Sequence, residues 1–202
     1  MIFINVSRRL YRLLWDTAYC TGITPWDYGE PPKELSILVY NGYIRPCKAI
    51  DIGCGTGNTV IYLSKMGFET IGIDISGEAI KRAFNKALKE GVRCKFIIDD
   101  FTDPNLIDKY NLEKIDLAID VGCLHTILTY NDRIQYVNNL NKLLRKGGKV
   151  LLWSFTRGFP GPPGLDPEDI KNLFRDKFII KLSMKFWWRI RWARFYILEK
   201  IS

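Results

Sequence analysis

Ala49-Ile50-Asp51-Ile52-Gly53-Cys54-Gly55-Thr56-Gly57 is the stretch whose reading decides the fold. A short apolar run leads into Asp51. Glycines follow at alternate positions, and an amphipathic stretch begins at Asn58. The pattern predicts a buried strand, a tight glycine turn and a helix N-terminus. That geometry lets backbone N–H groups approach a nucleotide-like ligand. The glycines fall at i, i+2 and i+4, so this is not the dinucleotide fingerprint G-x-G-x-x-G.

Outward from this turn, strand-like and helix-like runs alternate. Runs rich in Ile, Val, Leu and Phe predict strands over 47–52, 69–74, 93–98, 115–121 and 148–155. Helical periodicity predicts helices over 32–43, 57–66, 76–90, 130–145 and 166–175. Ser76 suits an N-cap, and Gly67 and Gly91 suit helix stops. Repeated β-α units argue for a parallel sheet with helices on both faces. The alternation ends with strand-like runs at 177–186 and 193–201, which predict an antiparallel hairpin with a short basic-aromatic connection. Gly158-Phe159-Pro160-Gly161-Pro162-Pro163-Gly164 can only be a loop.

The 202 residues fit one domain, with residues 1–31 as a lid segment and 32–202 as a ligand-binding core. No apolar run reaches about 18 residues, so no membrane span is expected. Met1–Val6 is apolar before the basic Arg8 and Arg9, the reverse of a secretory leader. Five cysteines without a C-x-x-C pair support neither a metal site nor a disulfide framework, and point to the cytoplasm. The net charge of +8 admits nucleic acid or an anionic surface as a partner, but surface lysines alone also account for it. Basic and aromatic residues cluster at Arg8–Trp15 and Phe186–Arg194, a mixture that can stack on single strands or lie on an anionic membrane.

The D-x-G-x-G-x-G pattern after a first strand resembles motif I of the class I S-adenosylmethionine-dependent methyltransferases. The resemblance implies a Rossmann-like α/β fold with strand order 3-2-1-4-5-7-6 and S-adenosyl-L-methionine as cofactor. It implies that Asp51, Gly53, Cys54, Gly55 and Gly57 hold the cofactor's amino acid end. Asp74, about 20 residues past the glycines, can accept both ribose hydroxyls, with Ile75 beside it; a helix N-cap role for Asp74 is the alternative. Asp100 is matched to the adenine amine acceptor and Phe101 to the adenine cover, with Asp99 as a one-residue-off alternative.

The fourth strand ends at Asp120-Val121-Gly122-Cys123-Leu124-His125, where the resemblance implies that Val121 lies by the cofactor. Asp120 and His125 are the candidate catalytic groups, His125 being the only histidine and the natural base near neutral pH. A structural role for His125 is the alternative. The Asp/Asn-Pro-Pro-aromatic motif of nucleobase amino methyltransferases is absent here, and Pro46-Cys47 precedes rather than follows the glycine loop. Both points disfavour nucleic acid as the acceptor.

Trp15-Asp16-Thr17-Ala18-Tyr19 and Pro25-Trp26-Asp27-Tyr28-Gly29 resemble lid segments of the thiopurine, thiol and halide methyltransferase group. Interleaved with Pro and Gly, these aromatics read as a poor helix and a good lid. The resemblance implies that Trp15 and Trp26 cover the cofactor, and that Tyr28, Phe159 and Trp188 wall a pocket for a small thiol or aromatic acceptor. A monomer is expected.

Overall fold

The computed structural model describes residues 8–159, 161–189 and 191–201. Met1–Val6, read above against a secretory leader, and Pro160 of the glycine-proline loop lie outside the described residues. Seven strands form one sheet: β1 (Lys48–Ile52), β2 (Glu69–Asp74), β3 (Lys95–Ile98), β4 (Ile115–Val121), β5 (Leu144–Phe155), β6 (Phe178–Trp188) and β7 (Arg191–Lys200). Their order is β3-β2-β1-β4-β5-β7-β6, as expected. β1 to β5 run parallel, and β7 lies antiparallel between β5 and the edge strand β6.

The helices are α1 (Arg8–Thr21), α2 (Lys33–Tyr40), α3 (Asn58–Lys65), α4 (Gly77–Lys89), α5 (Leu106–Tyr110), α6 (Tyr130–Leu143) and α7 (Pro167–Phe174). One sheet face packs Ile50, Ile52 and Val150 against Leu106, Tyr136 and Ile170 of α5, α6 and α7. The other packs Ile119, Leu151 and Phe195 against Leu35 of α2 and Leu63 of α3. β1 is buried from Ala49 onward, as a central parallel strand covered on both faces must be.

Three expectations need correction. The N-terminal aromatic block is helical: Tyr11, Trp15 and Tyr19 fall four apart, so they share one face of α1. The hairpin strands extend through Trp187, Trp188 and Trp192, which the sequence assigns to the connection. α5 and the 3-10 turn Leu124–Thr126 are too short to leave a periodic signal.

The glycine loop shows how tightly the site end is built. Gly53 and Cys54 donate to the Ile73 carbonyl at 2.8 and 3.0 Å, which clamps the loop to β2. Gly57 sits at φ +79°, and a Cβ there would lie 3.0 Å from Ala83 Cβ and 3.1 Å from Phe96 Cζ. Gly57→Ala therefore meets both left-handed strain, about 1–2 kcal/mol, and overpacking, about 1–3 kcal/mol. Chemical denaturation should show a loss of about 2–5 kcal/mol; a loss below about 0.5 kcal/mol, ordinary for surface changes, would refute the packing argument.

Candidate functional site

Parallel strands end together, and the ends of β1, β2, β3 and β4 bring Asp51, Asp74, Asp100 and Val121 around one cavity of about 900 Å³. That size is at the upper end of the usual range for ligand sites.

Asp51 is the most unusual group in it. Its carboxylate is 4% exposed, and no described residue donates a hydrogen bond to it. Burial, followed by the neighbouring Asp120 and Asp74 charges, pushes its pKa well above the usual carboxylate range. Asp74 accepts from Gly55 N and Ser76 N, both at 2.8 Å. These two amides only partly offset burial, and its pKa rises to about 6. Ser76 itself caps α4 through Ala79 N. Gly53 and Gly55 have positive φ, and their missing Cβ atoms make room for Cys123 and for the Tyr19 hydroxyl. The loop glycines thus serve close protein packing as well as approach to the cavity, which Gly53, Cys54 and Gly55 line. Gly57 does not line it; it packs α3 against α4.

At the end of β3 the adjacent carboxylates separate by partner. Asp99 is tied down by Lys109, Tyr110 and the Asp100 amide, and these bonds outweigh burial to lower its pKa. Asp100 bonds Thr102 through one oxygen and faces Arg8 Nε at 3.5 Å with the other. Phe101 lines the cavity while packing edge-on against Tyr136.

α1 and the following segment close over this end. Each Trp-Asp pair of the sequence divides its labour in the same way. Trp15 and Trp26 line the cavity, edge to face at 5.3 Å. Their aspartates dock on helix N-termini, where N–H groups and the dipole favour an anion. Asp16 accepts from Ser76 Oγ and Glu78 N at the start of α4. Asp27 accepts from Thr56 Oγ1 and Asn58 Nδ2 at the start of α3, and these bonds overcome burial to lower its pKa. Arg12 reaches the Ile75 carbonyl at 2.9 Å, and Tyr11 bonds Thr126.

On the β4, β5 and β6 side the walls are aromatic: Trp153, Phe155, Phe186 and Trp188, with Tyr28 facing Trp188 at 5.6 Å. The Arg189 guanidinium lies over the Tyr28 ring at 4.2 Å. Of the catalytic and pocket candidates on this side, His125 and Trp188 line the cavity, whereas Asp120 and Phe159 do not. Asp120 is fully buried and does not line the cavity. It accepts from Cys123 N, Leu124 N and the Tyr136 hydroxyl, so it organises the turn after β4. His125 lines the cavity, but burial and then Arg191 lower its pKa to about 3, and its Nδ1 accepts from Phe155 N at 3.4 Å. Such a ring is neutral and weakly basic at physiological pH. Phe159 is 92% exposed and outside the cavity wall.

The model of the family described as "Methyltransferase domain" matches residues 49–148. An uncharacterized methyltransferase of Schizosaccharomyces pombe is 32% identical over 107 residues, which cover 53% of this chain and 70% of that protein. The chain belongs to the methyltransferase family. A probable thiol methyltransferase of Arabidopsis thaliana is 29% identical to this methyltransferase over 155 residues, 74% of the chain and 65% of the relative. The match thus spans about two thirds of each relative's length. A magnesium protoporphyrin IX methyltransferase from Synechocystis, solved with bound S-adenosylhomocysteine, superposes with a TM-score of 0.74 at 20% identity, covering 96% of this chain and 99% of that one. This likeness confirms the methyltransferase fold.

Sequence reasoning placed Trp15, Trp26, Asp51, Asp74, Ile75, Asp100, Phe101 and Val121 of this methyltransferase at one cavity, where the structure has them. It missed the anchoring roles of Arg12, Asp16 and Asp27. The repeated Trp-Asp pair was the available signal, since an acid beside a buried aromatic needs a donor of its own.

Proposed function

We propose that the protein transfers a methyl group from S-adenosyl-L-methionine to a small acceptor whose nucleophile ionises by itself, a thiol foremost. The observation that carries the cofactor assignment is Asp51: a buried carboxylate, without a donor among the described residues, at the head of a glycine loop. A cationic ligand group supplies the missing partner, and the sulfonium cofactor carries an ammonium. The remaining residues fit the same molecule. Asp74 suits the ribose hydroxyls, Asp100 the adenine amine with Phe101 as cover, and Trp15 and Trp26 close the top. Cys54, Ile75 and Val121 complete the wall.

When bound, this cofactor supplies an activated methyl group, so the chain's task is to bind, orient and exclude water. Positioning alone contributes on the order of 7–11 kcal/mol in well-oriented reactions. Tyr28, Trp153, Phe155 and Trp188 give the acceptor a flat apolar enclosure. The chain offers little base chemistry there: His125 is neutral with a pKa near 3, and Asp120 is sealed beneath the turn. An acceptor must therefore bring its own ionised atom. A thiol, with a pKa of about 8.5, is already a few per cent ionised at pH 7, about 30-fold more than a phenol with a pKa of about 10. The relative named as a probable thiol methyltransferase agrees with this choice.

The test is a panel of matched aryl thiols, phenols and amines with labelled cofactor across pH 6–10. With cofactor saturating, we expect thiols to lead, and log kcat/KM to rise to an inflection at the pKa of each acceptor. His125→Gln should leave that inflection in place. An inflection that disappears in His125→Gln would instead establish His125 as a base. No transfer to any acceptor would defeat the proposal.

A further inference from the structure

The cavity opens at the carboxyl edge of the sheet, and the strand register carries the hairpin tip, with exposed apolar and cationic side chains, to that same edge. Phe155, near the end of β5, pairs with Ala193, and Trp188 pairs with Arg191. The β6–β7 hairpin tip therefore stands at the same sheet edge as the loops after β4 and β5. That edge presents Leu128, Phe159, Trp187 and Trp192, all more than a third exposed. α1, which closes over the same cavity, turns Tyr11 and Trp15 inward and leaves Leu13 and Leu14 almost 60% exposed. Isolated exposed apolar residues are ordinary, but a set this large around a ligand mouth marks an interaction surface.

Charge selects the partner. Lys185 stacks over Trp192 at 4.2 Å and Arg189 over Tyr28. Arg194, opposite Lys185 in the register and on the sheet face away from the cavity-lining Phe186 and Trp188, bonds, among the described residues, a neutral side chain, Ser183. None of the three forms an ion pair with a described carboxylate, whereas Arg157 on the same edge is neutralised by Asp166 and Asp169. The whole chain carries +8. Tryptophans beside cations suit the boundary between lipid headgroups and acyl chains. Among the described residues no helix is long and apolar enough to cross a membrane, so the contact is peripheral.

We propose that this edge docks on an anionic lipid bilayer, with the cavity mouth turned toward the lipid. An apolar acceptor dissolved in the bilayer would then enter between α1 and the hairpin without crossing water. The docking claim stands apart from the reaction proposed above, because it is read without turnover.

The experiment is co-sedimentation of the full chain with phosphatidylcholine vesicles and with one-to-one phosphatidylcholine/phosphatidylglycerol vesicles, at low and high salt. Binding is expected to the mixed vesicles only, and salt should reverse it. Each basic residue near an anionic surface is worth about five-fold in partitioning, so Lys185→Gln with Arg194→Gln should weaken binding about 25-fold. Leu13→Ser with Leu14→Ser should weaken it as well, at an unchanged unfolding midpoint. These four residues are outside the cavity lining, so cofactor titration of the same variants should match the wild type. Equal binding to both vesicle types, or none to either, would overturn the proposal. So would tighter binding to single-stranded homopolymer RNA than to vesicles, or a concentration-dependent dimer abolished by the same substitutions.

Discussion

Asp51→Asn is expected to bind S-adenosylhomocysteine on the order of 10- to 100-fold more weakly than the wild type, and to be more stable than the wild type without ligand. The two effects share one cause. In the protein alone the carboxylate is buried, receives no hydrogen bond from the described residues and faces the Asp74 and Asp120 charges. Removing its charge relieves a desolvation cost that nothing repays. The folded pKa lies above the unfolded one. The unfolded chain therefore ionises first, and stability falls as pH rises above about 4. The gain of the variant should accordingly be near zero at pH 4 and largest at pH 8, about 1–2 kcal/mol, or some 2–8 °C in Tm for a chain of this size. With ligand the sign reverses, because a hydrogen bond to a charged group contributes about 1.5–3 kcal/mol. Thermal shift with and without ligand reads both effects. A variant less stable without ligand, or with undiminished affinity, would show that Asp51 is not a ligand-facing charge.

Asp120→Ala should be the most destabilising single change at the site, by about 3 kcal/mol or more. The carboxylate satisfies the buried Tyr136 hydroxyl at 2.6 Å and the Cys123 and Leu124 amides at 2.7 and 2.9 Å. Deleting it leaves three donors without an acceptor, each costing about 1–3 kcal/mol when buried. Some relief of charge repulsion with Asp51 offsets part of this. The Tm should fall by roughly 6–12 °C. A residue that instead faced the reacting atoms would lose turnover at unchanged Tm, so calorimetry beside a kinetic assay separates the two roles.

The architecture was legible because each level of the sequence agreed with the next. Three glycines ended the run into Asp51, Ser76 capped the next helix, and each strand carried its own apolar run. The carboxylates facing the cavity were legible for a related reason: in a parallel sheet, strand ends converge on one edge. What escaped was set by burial, which sequence does not carry. His125 looked like a base because it is the only histidine, yet burial pushes its pKa down to about 3. Asp120 looked like a site residue because it stands one residue before the end of β4, but the turn that follows folds back over it. Phe159 shares a loop with cavity-lining Pro162 and Pro163 and turns outward. α1 was hidden by its composition, since Leu10, Leu13 and Leu14 on its outer face blur the periodicity that Tyr11, Trp15 and Tyr19 define on the inner one.

The central claim is that the cavity over Asp51, Asp74 and Asp100 holds the methyl-donor cofactor. Calorimetric titration of the wild-type chain with S-adenosylhomocysteine between pH 5 and pH 8 tests it most directly. We predict one site per chain, with a dissociation constant between about 1 μM and 1 mM, the usual range for enzyme substrates. Asp74, with a pKa of about 6, must lose its proton to accept two hydroxyls. Affinity should therefore rise with pH through 6, with proton release on binding at the acidic end. Absence of heat at any pH, with no thermal shift at millimolar ligand, would contradict the account and leave the glycine loop as a device of packing alone.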